Sequence, residues 1–206
     1  MSMRNCLIIS TLLCILAGTA SAEERIVCLG DSLTAGYGLE PEQAYPSILE
    51  SLLTERGRAV TVVNAGVSGD TSAGGLRRLG WIMQQEIDVL VIALGANDAL
   101  RGQPVDSTEG NLRGIIRTAR EKQPDITIIL AGMRAPPNMG GDYASRYEAI
   151  FPKLAAEESV QLLDFLLEDV AARPELNLAD GIHPNAKGQR LIAENLAKLV
   201  NGENEA

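Results

Sequence analysis

The chain contains a single histidine, His183, in the context Asp180-Gly181-Ile182-His183-Pro184. Gly181 permits a tight turn, which sets Asp180 to accept the Nδ1 proton and leaves Nε2 free to act as a base near neutral pH. A serine hydroxyl is a weak nucleophile until such a base takes its proton. Ser32, in Gly30-Asp31-Ser32-Leu33-Thr34, follows an apolar run. A serine between a strand and a helix commonly caps the helix, but the Asp180-His183 pair gives this one a chemical partner. The segment lacks the second glycine of the G-x-S-x-G elbow, so an α/β-hydrolase arrangement is not supported. Acyl transfer also needs donors placed in advance for the developing oxyanion. The backbone N–H groups of Ser32 and Gly69 and the side-chain amide of Asn97 are the candidates. Asp31, Met133, Pro136 and Met139 are read as candidate substrate contacts.

These residues need a scaffold that brings distant segments together. Five apolar runs recur, at Arg25 to Leu29, Val60 to Asn64, Asp88 to Leu94, Ile126 to Ala131 and Val160 to Asp164. Their nearly unbroken Val, Ile and Leu content suits strands of a parallel sheet covered on both faces. Helical stretches fall between and after them, near Gln43 to Arg56, Thr71 to Gln85, Ser107 to Lys122, Tyr143 to Glu157 and Lys187 to Val200. In the last, Ile192, Leu196, Leu199 and Val200 share one face. Alternating strands and helices predict a three-layer α/β fold, an αβα sandwich. Ligands in such folds bind beyond the carboxyl ends of the strands. The candidate serine, glycine and asparagine all follow strands, and Asp180 to Pro184 precedes the final helix.

With these four blocks in order, the chain resembles the SGNH, or GDSL, hydrolase family. The matching blocks are Gly30-Asp31-Ser32-Leu33, Gly69 within Asn64 to Thr71, Gly95-x-Asn97-Asp98 and Asp180-x-x-His183. Within that family it looks most like the bacterial exported acyl-CoA thioesterase, lysophospholipase and arylesterase group. The resemblance implies a flavodoxin-like five-stranded parallel sheet of order 2-1-3-4-5. It further implies a Ser32-Asp180-His183 triad, an oxyanion hole of Ser32, Gly69 and Asn97, and hydrolysis of acyl esters and thioesters without a cofactor. A carbohydrate O-deacetylase could use the same residues, but only 3% of the chain is aromatic, which leaves few platforms for a sugar. A non-catalytic anion-binding module would give His183 no task.

At 206 residues, with 46% hydrophobic and 22% charged, the composition is that of one globular domain. The net charge of -9 argues against nucleic acid and against electrostatic docking on anionic lipid. Residues 1–22 read as a cleaved export signal: Arg4 supplies the charge, Cys6 to Ala17 the apolar run and Ala20-Ser21-Ala22 the cleavage site. The mature domain then spans 23–206, is periplasmic or secreted, has no stable membrane anchor and is a monomer. It retains Cys28 as its one cysteine, which reads as a small core residue. One histidine and one cysteine leave no ligand set resembling a zinc hydrolase site, so the site is read as metal-free.

Overall fold

The computed structural model describes residues 23–203, so the segment 1–22 read as an export signal lies outside the described residues. Five strands form one sheet: β1 (Glu24–Gly30), β2 (Val60–Gly66), β3 (Val89–Ala93), β4 (Thr127–Ala131) and β5 (Gln161–Leu163). Their order is β2-β1-β3-β4-β5 and every pairing is parallel, as the resemblance implied. The central strand, β3, is Val-Leu-Val-Ile-Ala and buried throughout. Side chains alternate between the faces of a strand, so an unbroken apolar run is stable only with helices on both sides.

The helices are α1 (Ser32–Ala35), α2 (Tyr45–Glu55), α3 (Ser72–Ile82), α4 (Ala96–Leu100), α5 (Val105–Lys122), α6 (Gly141–Glu148), α7 (Ile150–Glu158) and α8 (Ala186–Val200). On one side α2 packs against α8; on the other α3 and α7 pack against α5. In α5 the buried residues Val105, Thr108, Leu112, Ile115, Ile116 and Ala119 recur at helical spacing and form the inward stripe. In α8 the predicted face holds: Ile192 and Leu196 are buried, and Leu199 and Val200 pack against the core edge.

Two local expectations are revised. The helix expected over Tyr143 to Glu157 is two helices, α6 and α7, meeting at Ala149, because Pro152 has no N–H to offer the Glu148 carbonyl. Pro184 precedes α8, as expected, and bridges Asn177; Asn185 is the cap, its side chain accepting from the N–H groups of Lys187 and Gly188. Two short helices, α1 and α4, directly follow the ends of β1 and β3 and were not among the expected helical stretches. Both are too short to carry a periodic signal.

Candidate active site

The strand ends of β1, β2 and β3 lie side by side, with Gly30 paired to both Gly66 and Ala93. The residues that follow these strands are thereby gathered on one edge. Ser32 is the first residue of α1. Asp31 caps that helix by accepting from the Leu33 N–H at 2.9 Å. A first-turn N–H has no intrahelical acceptor, so the Ser32 N–H is available to a ligand oxygen. At Gly69 the backbone has φ +82°, where an L side chain is strained. Among the described residues its N–H also meets no backbone acceptor.

Asp180 and His183 arrive from the loop before α8. One Asp180 oxygen accepts from the Ile182 and His183 backbone N–H groups at 2.9 and 3.0 Å, closing the turn that Gly181 enters at φ +68°. The other lies 2.7 Å from His183 Nδ1, and His183 Nε2 lies 3.0 Å from Ser32 Oγ. With its proton on the Asp180 side, the imidazole presents an acceptor to the hydroxyl. Hydrogen bonds from the His183 backbone and side chain hold the Asp180 carboxyl down at about 2, so it is ionised at any working pH. The Tyr37 ring leans on the imidazole at 4.5 Å between centroids.

Asn97, in α4, donates from Nδ2 to Asp31 Oδ2 at 3.2 Å, which spends one amide hydrogen and leaves the second for another acceptor. Asp31 was read as a substrate contact, and its placement contradicts that. It is 1% exposed, with its oxygens committed to Leu33 and Asn97. Burial pushes its carboxyl up to about 6. Met133 is corrected likewise, being 3% exposed and part of the core beyond β4. Pro136 and Met139 are partly exposed, and the Met139 methyl reaches Gly102 in the loop after α4. Cys28 is buried, and its thiol is pushed up to about 12 by that burial, as suits an inert core residue.

The sequence reading missed the side chains that hold these loops. Gln189, 1% exposed on α8, accepts from the Tyr45 N–H at 2.8 Å and donates to the Leu33 carbonyl at 3.0 Å. It therefore fastens the helix after His183 to the turn that carries Ser32. A buried glutamine inside an apolar helical stripe is the signal that could have found it. Arg78, Ser72 and Arg101 were also missed.

The model of the GDSL-like lipase/acylhydrolase family matches residues 28–191, a span that includes Ser32, Gly69, Asn97, Asp180 and His183. This chain belongs to the GDSL-like lipase/acylhydrolase family. Among its relatives, the arylesterase of Vibrio mimicus is 40% identical over 184 residues, covering 89% of this chain and 91% of that protein. The thioesterase 1/protease 1/lysophospholipase L1 of Escherichia coli K12 is 39% identical, covering 91% of this chain and 88% of that one. Among solved structures, the psychrotrophic esterase EstA of a Pseudoalteromonas species, inhibited by monoethylphosphonate, superposes with a TM-score of 0.82 at 31% identity, over 87% of this chain and 98% of that one. The GDSL-like fold is therefore shared along nearly the whole described length.

Proposed function

We propose that this GDSL-like acylhydrolase is a serine esterase and thioesterase that works through an acyl-enzyme on Ser32. The observation that carries this reading is the unbroken contact series from Asp180 to His183 Nδ1 at 2.7 Å and from Nε2 to Ser32 Oγ at 3.0 Å. His183 takes the Ser32 proton as Oγ attacks the carbonyl carbon. Asp180, ionised throughout, stabilises the imidazolium that forms. The oxyanion of the tetrahedral intermediate is received by the N–H groups of Ser32 and Gly69 and the free amide hydrogen of Asn97. His183 then hands its proton to the leaving alcohol or thiol, and a water repeats the cycle on the acyl-enzyme. No step in this sequence calls on a metal or cofactor.

The substrate class proposed is an ester or thioester with an apolar acyl or aryl group, such as an aryl ester, an acyl-CoA or a lysophospholipid. Its support is the surface around the triad. Of the five exposed large hydrophobic side chains among the described residues, four, Tyr37, Val67, Leu100 and Ile182, belong to the segments carrying Ser32, Gly69, Asn97 and His183, and the fifth, Trp81, lies on α3. Exposed apolar groups gathered around a reactive centre are a binding feature rather than a packing one.

We further propose that residues 1–22 are removed on export, so the mature enzyme starts at Glu23 and acts in the periplasm or outside the cell as a monomer. No helix among the described residues is long and apolar enough to cross a membrane. Intact-mass measurement of the exported protein tests the cleavage, and light scattering tests the monomer. The catalytic reading is tested by turnover of a p-nitrophenyl ester series beside an acyl-CoA and a lysophospholipid. Activity on these that disappears in Ser32→Ala supports it, and activity that survives in that variant refutes it.

A further inference from the structure

The three proposed oxyanion donors stand on three different strand-end loops, and each is immediately followed or preceded in sequence by an aspartate. Asp31 precedes Ser32, Asp70 follows Gly69 and Asp98 follows Asn97. Asp31 and Asp98 are buried and each accepts from a neighbouring loop, while the partly buried Asp70 is linked to the next strand end through Arg78. Asp31 accepts from Asn97 Nδ2 at 3.2 Å, joining the Ser32 turn to α4. Asp98, 2% exposed, accepts from the Ser72 N–H at 2.8 Å and the Ser72 hydroxyl at 2.6 Å, joining α4 to the start of α3, three residues past Gly69. Asp70 accepts from Arg78 Nε at 2.7 Å, and Nη2 of the same guanidinium donates to the Gly30 carbonyl at 2.9 Å. That last link returns the Gly69 loop to the strand end that carries Ser32.

We infer that Asp31, Asp98 with Ser72, and Asp70 with Arg78 form a closed frame of positioning residues that sets the distances among the Ser32, Gly69 and Asn97 donors. The inference rests on the proposed roles of those three donors. A donor stabilises a transition state only when it is already in place, and a hydrogen bond to a developing charge weakens steeply as its geometry departs from alignment. Three loops tethered only at their strand ends would each drift, whereas a ring of links fixes all three separations together. Arg78 suits its edge because a planar fork can bind a carboxylate and a carbonyl at once. Buried carboxylates are costly in stability, and well-packed apolar residues often serve a fold better. Placing them beside every donor is therefore explained by geometry at the site. Arg101, at the end of α4, donates to the Gly69 carbonyl at 2.8 Å and repeats the link between α4 and the Gly69 loop at the surface.

The test uses Asp98→Asn, which keeps shape but loses one acceptor, and the partly exposed Arg78→Met, with Arg78→Lys as the conservative partner and Ser32→Ala as the control. Each variant is assayed on one p-nitrophenyl ester, and its rate of inactivation by a fluorophosphonate and its far-UV circular dichroism are measured. Displacing a donor should cost less than the roughly 10²–10³ seen on deleting one. The frame predicts kcat lowered about 10- to 100-fold in Asp98→Asn and Arg78→Met, KM within about twofold, and slower inactivation by a similar factor. Arg78→Lys should recover part of the loss, and the folded spectrum should persist. If Ser32→Ala is dead while Asp98→Asn and Arg78→Met keep kcat within about twofold, or lose activity only in step with unfolding, the frame is wrong and the catalytic reading stands. If Ser32→Ala remains active, the catalytic reading itself has failed.

Discussion

At the level of single residues, the division of labour among the carboxylates is the main physical result. Asp180 has 37% of its side chain exposed, is wrapped in donors and is ionised; Asp31 is buried and raised to about 6. Asp31, raised to about 6 by burial, is a carboxyl that changes charge at mildly acid pH. His183 must be neutral to accept a proton, and protonating Asp31 weakens the charge-assisted hydrogen bond it accepts from Asn97, so both changes lower activity. Activity should fall as Asp31 protonates with pH dropping through about 6, and Asp31→Asn should lower the plateau and remove that contribution from the acid limb. The stability consequence has the opposite sense. A carboxyl raised in the folded state stabilises the fold fully below its ordinary range, and that contribution is lost as pH rises through about 6. Thermal midpoints of wild type and Asp31→Asn should therefore shift in the variant's favour between pH 5 and pH 8, and a gap that does not move with pH would contradict the assignment. Asn97→Ala should lower kcat by roughly 10²–10³ with a smaller change in KM. A change confined to KM would make Asn97 a binding residue instead.

At the level of elements, the strands were legible because a doubly covered parallel sheet writes long apolar runs into the sequence, and the long amphipathic helices were legible from their period. What was not legible was short or depended on contacts between distant segments. Helices α1 and α4 span about one turn each, and nothing local marks Asp31 or Met133 as buried until the neighbouring elements close over them. The contact series from Asp180 through His183 to Ser32, the proposed triad, was readable because a lone histidine with an aspartate three residues earlier is locally distinctive. Gln189 was not, since its two partners lie 144 and 156 residues away in the chain. Its removal should be felt by the fold. Gln189→Ala leaves the buried Tyr45 N–H and Leu33 carbonyl unpaired, at about 1–3 kcal/mol each, and should lower the unfolding free energy by an amount on that order, read as a lower denaturation midpoint. Because it ties α8 to the Ser32 turn, some turnover should be lost as well. A variant with unchanged denaturant midpoint would show that water replaces the side chain at no cost.

At the level of the whole molecule, a parallel sheet with its loops gathered on one edge turns three strand ends and one pre-helix loop into a single reactive surface. The fold supplies the gathering and the polar links supply the fixed distances. Trp81 is 74% exposed, so its fluorescence reports the surface rather than core integrity, and circular dichroism is the better control for every variant above. Prolonged chelation should leave turnover unchanged, because the chemistry proposed uses only Ser32, His183 and Asp180; loss of activity restored by a divalent ion would count against it. The most direct measurement of the central claim is peptide mass mapping after reaction with a fluorophosphonate, in wild type and in His183→Gln. The account predicts one adduct per chain, on Ser32, formed in wild type and nearly absent in His183→Gln. An adduct on another residue, or labelling of Ser32 at an undiminished rate without His183, would contradict it.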